Sequence, residues 1–146
     1  MLRTSTIPIA TLLLRVSLGT LFLAHVWLKI FVISPSNFVA YFASMDIPAA
    51  AAYATIVLEL VGGLALILGV YVPLVAIPLG LELLGTIVLV HGSKGWLFTS
   101  KGGGWEYPAF WATTLVVLFL LGDGPWALRP LRREKSTLSE IGQRRG

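Results

Sequence analysis

Cysteine is absent from all 146 residues. That excludes disulfides, thiol exchange, cysteine-ligated zinc, iron–sulfur clusters and covalently attached c-type haem. Charge is scarce: 12% of residues are Asp, Glu, Lys or Arg, where a soluble domain of this size carries about 25%. The surface this leaves is too poor in charge for water. No basic stripe interleaved with aromatics is present outside the C-terminal tail, so the net charge of +4 does not point to nucleic acid. Most of it comes from Arg129, Arg132, Arg133, Lys135, Arg144 and Arg145.

What is present is apolar. Residues A, V, I, L, M, F, W, Y and C make up 56% of the chain, and the mean hydropathy is +0.84. A helix that crosses a bilayer needs roughly 20 mostly apolar residues. Four segments approach this: about 9–31, 49–70, 72–91 and the shorter 107–121. Short connections predict an all-α integral membrane protein, an antiparallel four-helix bundle spanning residues 1–128, with a polar basic tail at 129–146. Pro48, Pro73 and Pro108 sit near helix starts, where a missing N–H costs nothing. Pro78 lies inside the third segment and is expected to kink it. Arg15, His25 and Lys29 interrupt the first segment, which is therefore expected to be an uncleaved span rather than a signal peptide.

Cations near the span ends set orientation. Arg3 precedes the first span and the tail cations follow the fourth, so both termini are expected to be cytoplasmic in an inner, or plasma, membrane. The loops 32–48 and 92–106 then face outward. Trp27, Trp96, Trp105 and Tyr107 would mark one interface and Trp126 the other, and the tail would lie on the anionic cytoplasmic leaflet.

Two near-repeats, LELVGG (58–63) and LELLGT (81–86), each bury a glutamate. In a hairpin turning near Tyr71, Glu59 and Glu82 lie level, near mid-bilayer. Ionised carboxylates there cost about 2.5–3.5 kcal/mol or more, so both must point inward and find partners. Arg15 is the expected partner of Glu59. Glu82 has no obvious cation and is expected to stay protonated. Gly62 and Gly85 follow the glutamates at i+3 and would let a neighbouring helix approach closely.

A second cluster is expected at the outer end. His25 and Lys29 are spaced i, i+4 on the first span, in one seam with Arg15 and Phe22. His91 ends the third span and Glu106 opens the fourth, so these four would converge at one mouth, with glycines 102–104 allowing Trp105 and Glu106 to fold over it. Glu82 and His91, nine residues apart, would share a cavity only if Pro78 or fraying bends the span. One His per span argues against bis-histidine haem, and Lys29 argues against a metal held by His25, His91 and Glu106. Candidates for chemistry are thus Arg15, Glu59, Glu82, His25, Lys29, His91 and Glu106. His25, Trp105 and Tyr107 are candidates for cofactor contact, with no haem or metal expected.

LLLRVSLG with His25 and Lys29, then ELVGGLALILGV, VHGSKGWLF and GGGWEYP, together resemble the DoxX family of small four-helix membrane proteins over roughly residues 9–128. Arg15, His25, Lys29, Glu59, Gly62, Gly63, His91, Glu106 and Tyr107 match its polar and glycine pattern. Val26 stands where glycine usually follows the histidine, Trp96 replaces the usual phenylalanine, and Glu82 lies outside the pattern. Some members are subunits of a thiosulfate:quinone oxidoreductase and others are linked to redox defence. The resemblance therefore implies a subunit of a quinone-linked membrane redox system, with quinone as its cofactor and redox proteins as partners. No haem, flavin or iron–sulfur motif is visible, so the chain alone does not look like a complete electron-transfer enzyme. Two alternatives stand beside it: a non-catalytic membrane scaffold or assembly partner, and a small transporter or proton-coupled channel that would need a homo-oligomer.

Overall fold

A computed structural model describes residues 6–131; Arg3 and most of the basic tail lie outside the described residues. Within them the chain is helical, apart from turns, loops and a single β-bridge. Helix α1 (Ile7–Trp27) starts with proline in its first turn and passes directly into a π-helical segment, Leu28–Val32. Helix α2 (Pro35–Ala43) lies in a stretch expected to be loop. It is followed by α3 (Ala49–Leu68) and α4 (Val72–Thr86). A second π segment, Ile87–His91, extends α4, and α5 runs from Glu106 to Leu121. Three of these units, Ile7–Val32, Ala49–Leu68 and Val72–Lys94, are long and apolar enough to cross a membrane.

The helix ends follow from local chemistry. Pro48 caps α3 and Pro73 lies in the first turn of α4, positions where a missing amide hydrogen loses nothing. The third helix stops at Gly69, whose φ of 70° only glycine adopts without strain. Pro78 does not break α4, which runs through it to Thr86; the irregular stretch comes nine residues later, at the π segment.

Burial is inverted relative to a soluble protein. Phe31, Val88 and Leu120 are 73%, 75% and 76% exposed, whereas Arg15 and Glu59 are 1% and 4% exposed. Apolar side chains on the outside and charges on the inside suit a lipid solvent, which rewards packing and internal pairing. The main core joins Leu18 and Phe22 of α1, Leu66 of α3, Leu79 and Leu83 of α4, and Trp111, Leu115 and Leu118 of α5. A smaller core seats Phe38 of α2 on Val26, Ala52 and Ile56. Helices α1 and α3 meet at two glycines: a Cβ on Gly19 would stand 2.6 Å from the Gly63 carbonyl oxygen. Gly62, next along, faces Leu79 of α4, so one Gly-Gly pair serves two packing partners. Gly85 does not play the expected part, since nothing approaches within 4 Å of the place its Cβ would occupy.

At one end, the residues after α5 fold back over the α3–α4 turn. Asp123 accepts from the Val72 amide (2.8 Å) and the Leu131 amide (2.7 Å), and Tyr71 donates to the Arg129 carbonyl (2.9 Å).

Candidate functional site

A second group of buried charges lies away from that end. Lys29, in the π segment after α1, is ion-paired with Glu59 of α3; the two side chains are 11% and 5% exposed. The Lys29 ammonium also lies 5.4 Å from the centre of the Phe38 ring. Glu82 of α4 faces the same pair, within hydrogen-bonding reach of Glu59, and its Oε2 has no hydrogen-bond partner in the described residues. One ammonium, paired with Glu59, thus stands near two carboxyl groups in an apolar surround. A single proton held between them brings the cluster to zero net charge, the state that costs least in a medium of low dielectric constant.

This cluster forms one wall of a cavity of about 450 Å³. His25, His91, Tyr107 and Trp111 also line it, together with Phe38, Tyr41 and Phe42. The size falls within the range of small-molecule sites, about 300–1,000 Å³, and so does the mixture of aromatic walls and few polar groups. A larger concavity, about 650 Å³, runs between α4 and α5, but no ionisable side chain lines it.

Hydrogen bonds fix both histidines. His91 Nδ1 donates to the Gly103 carbonyl (2.8 Å), because a carbonyl only accepts. In the neutral ring Nε2 is then the acceptor, and the Tyr107 hydroxyl donates to it at 2.7 Å. His25 Nδ1 likewise donates to the Leu21 carbonyl, 3.0 Å away and one helical turn back. Its ring stands edge-on to Trp111, with centroids 4.9 Å apart.

Several expectations need correction. Arg15 does not pair with Glu59. Its Nη1 donates to the Asp123 carbonyl at 2.6 Å, beside Gly69. Gly69 is ten residues beyond Glu59, about 15 Å along a helix. The cation that meets Glu59 is Lys29, which the outer-end assignment kept away from the glutamates. Glu106 does not join the mouth: its Oε1 accepts from the Phe98 amide at 2.7 Å and clips the 95–106 loop shut. Trp105 packs edge-on against Trp96, 4.4 Å between centroids, and lines the apolar groove rather than the cavity. Among the described residues no three His, Asp or Glu side chains gather as a metal-ligand group.

Glu82 and His91 do line one cavity, for a reason other than Pro78 or fraying. A π turn in effect inserts one residue and rotates the helix beyond it by roughly 100°, so two positions nominally about 180° apart come within a quadrant. The segment Ile87–His91 supplies that turn.

The sequence did not single out Trp111, Tyr41 or Asp123. Trp111 and Tyr41 look like ordinary apolar-helix aromatics. Asp123 carried a signal, an aspartate between two glycines directly after a span, that only the fold-back of the chain makes meaningful.

The DoxX family model matches residues 10–92. The chain belongs to the DoxX family. No curated protein and no solved structure matches it significantly. The matched region of this DoxX protein runs from α1 to the second π segment. It carries His25, Lys29, Glu59, Glu82 and His91, while Tyr107 and Trp111 reach the cavity from α5, outside the match.

Proposed function

We propose that this DoxX protein is a component of a quinone-linked membrane redox system, and that the cavity holds a quinone head group. One observation carries the proposal: a buried Lys29–Glu59–Glu82 cluster lines an aromatic-walled cavity in a protein whose outer surface is apolar. A quinone ring is flat and apolar with polar oxygens at its edge. It suits walls such as Phe38, Tyr41 and Phe42, and the carboxyl pair and His91–Tyr107 supply proton donors and acceptors. In this reading partner redox proteins complete the system. The structural setting proposed for it is an antiparallel four-helix bundle in the inner membrane, with both termini cytoplasmic. The short α5 and the core shared by α1, α3, α4 and α5 support the bundle.

Mass spectrometry of the lipid extract of the purified protein tests this, together with tryptophan fluorescence on adding ubiquinone or menaquinone. Trp111 lines the cavity and reports occupancy. The expected result is a co-purifying quinone and quenching that Lys29→Met weakens. No quinone in the extract and no quenching at any concentration would defeat the reading.

A non-catalytic scaffold is the second reading. It draws on the exposed apolar loop tip Trp96, Leu97 and Phe98, half or more of each side chain being open. Under it, His25→Ala leaves every phenotype of the cell untouched.

A further inference from the structure

The cavity lies in a seam between the two cores. Helix α2 belongs to the smaller one, where Phe38 seats on Val26, Ala52 and Ile56. The main core takes buried residues from α1, α3, α4 and α5 and none from α2. Tyr41, one turn beyond Phe38, and Met45, just past the helix, line the cavity from the α2 side. Leu89 and Tyr107 line it from the side of α4 and α5. Of the lining residues Leu28, Tyr41, Leu89 and Tyr107 are exposed, and the last three belong to the two sides of this seam. Leu89 follows Val88, whose side chain is among the most exposed in the protein, so the rim there opens on an apolar outer surface. Elsewhere the walls are closed. Lys29 and Glu59 are almost withdrawn from the surface, and His91 ties its wall to the 95–106 loop by bonding both the Gly103 carbonyl and the Tyr107 hydroxyl. Both ends of α2 carry unusual backbone. Ser34, its N-cap, has a φ of 73°, and Asp46, shortly past its end, has a φ of 57°. Neither is glycine, and other residues are strained in that region. Hinges are typically a few residues at the ends of an element, where large changes in φ and ψ are absorbed.

We propose that α2 is a gate, hinged at Ser34 and Asp46 and pivoting on Phe38, through which a ligand dissolved in the bilayer enters the cavity sideways, between α2 and the α4–α5 pair. The separate cores make this motion cheap. Turning α2 disturbs the few contacts of the smaller core and leaves the helix packing of the main core intact. Closure sequesters the ligand from its surroundings, as lids over binding sites do. A ligand with a flat ring and a long apolar tail suits such an entrance, since the ring occupies the cavity while the tail stays among the lipid chains beside Leu89. The gate goes beyond the quinone reading, because it serves any ligand that travels in the membrane.

The chain has no cysteine, so introduced thiols report alone. The first measurement needs no ligand. Thr55→Cys places a thiol in the cavity lining, one turn before Glu59 on α3. With the full chain in nanodiscs, a lipid-soluble pyrene maleimide is expected to label it, and a sulfonated maleimide confined to water is not. Both reagents should label Thr99→Cys, on the exposed loop. The second measurement joins Tyr41→Cys to Leu89→Cys across the rim with a flexible bis-maleimide and follows exchange of decyl-benzoquinone by tryptophan fluorescence. The bridge is expected to slow entry into the empty protein and release from the loaded protein alike, each by about ten-fold or more, because both need the same opening. Equilibrium affinity should stay that of the same variant capped with two separate maleimides. A residue that only forms part of the wall would change affinity and leave the two rates unlinked. Labelling of Thr55→Cys by the sulfonated reagent or by neither reagent, or a bridged protein that exchanges quinone as fast as the capped one, would overturn the gate and leave the quinone reading standing. If the capped variant and the wild type bind no quinone, that reading falls, and labelling of Thr55→Cys decides the gate by itself.

Discussion

Lys29 and Glu59 form an ion pair between the first span and α3 with both side chains almost withdrawn from the surface. The pair holds two helices together where lipid offers no alternative partner. Glu82, the third member of the cluster, lines the same cavity wall. Removing one partner of a buried pair leaves an uncompensated charge, at a cost of about 3–5 kcal/mol. Replacing both with well-packed neutral groups is much milder. Lys29→Met is therefore expected to lower stability by that amount, and Lys29→Met with Glu59→Gln by clearly less. Urea or detergent-denaturation curves of the single and double variants check this. Additive losses would show that the two side chains do not interact.

The cluster makes a second expectation concrete. If Glu82 shares a proton with Glu59, one carboxyl group in the span is neutral at pH 7. An infrared spectrum of the protein in nanodiscs should then contain a protonated-carboxyl C=O band that disappears in Glu82→Gln and survives Glu106→Gln. Glu106 is engaged by the Phe98 amide in the loop and has no part in the cluster. A spectrum without such a band at pH 7 would mean both carboxylates are ionised.

Much of this was legible in the sequence because lipid imposes a simple rule: a charge inside a span must face inward. The rule turned Glu59 and Arg15 away from the surface, as the structure has them, but it left Lys29 at the outer mouth. It does not say which cation meets which carboxylate. Arg15 went to Asp123 because residues 122–131 fold back over the α3–α4 turn, a tertiary event with no periodic signature. Helix α2 was missed although its start was written plainly. Ser34 precedes Pro35, the serine hydroxyl accepts from the Asn37 amide, and Phe38 and Phe42 stack one turn apart. Its nine residues were too few to stand out from loop. The π segments were invisible for another reason. They arise where packing demands a register shift, and no residue type marks them.

The His91–Tyr107 contact predicts a tautomer. With the Gly103 carbonyl on Nδ1 and the Tyr107 hydroxyl on Nε2, the neutral imidazole carries its proton on Nδ1. Nitrogen-15 chemical shifts of labelled histidine should report that form for His91 at alkaline pH. Tyr107→Phe removes the donor to Nε2 and should shift that nitrogen, at a stability loss of about 1 kcal/mol or less, as for other hydrogen bonds between membrane helices. An Nε2-protonated ring in the wild type would contradict the geometry.

The fold-back at the opposite end is expected to be structural. Asp123 satisfies two amides with its carboxylate and Arg15 with its carbonyl. Asp123→Ala deletes the two amide acceptors while sparing the carbonyl. Leaving a buried donor unpaired costs about 1–3 kcal/mol, so the variant should melt earlier and be cut by protease within 122–131. Its ligand binding should be unchanged, because Arg15 and Asp123 line no part of the cavity. A binding loss without a stability loss would move this end into the functional site.

Glycines give the sharpest internal contrast. At Gly63 a methyl group would stand 3.0 Å from the Gly19 carbonyl oxygen, and at Gly19 one would stand 2.6 Å from the Gly63 carbonyl oxygen. Both obstacles are backbone and cannot swing aside. Gly19→Ala must therefore push α1 and α3 apart, an overpacking cost of about 1–3 kcal/mol. It should also loosen the Lys29–Glu59 pair, since the same two helices carry it. Gly80 is the control: it lies mid-helix in α4 with open space where its Cβ would be. Gly80→Ala fills nothing and gains helix propensity, about 0.5–1 kcal/mol in favour of the folded state. Thermal melts of the two variants in one detergent should move in opposite directions. If Gly80→Ala destabilises as much as Gly19→Ala, its face of α4 is not open in the assembled protein, and a second helix packs into the groove between α4 and α5.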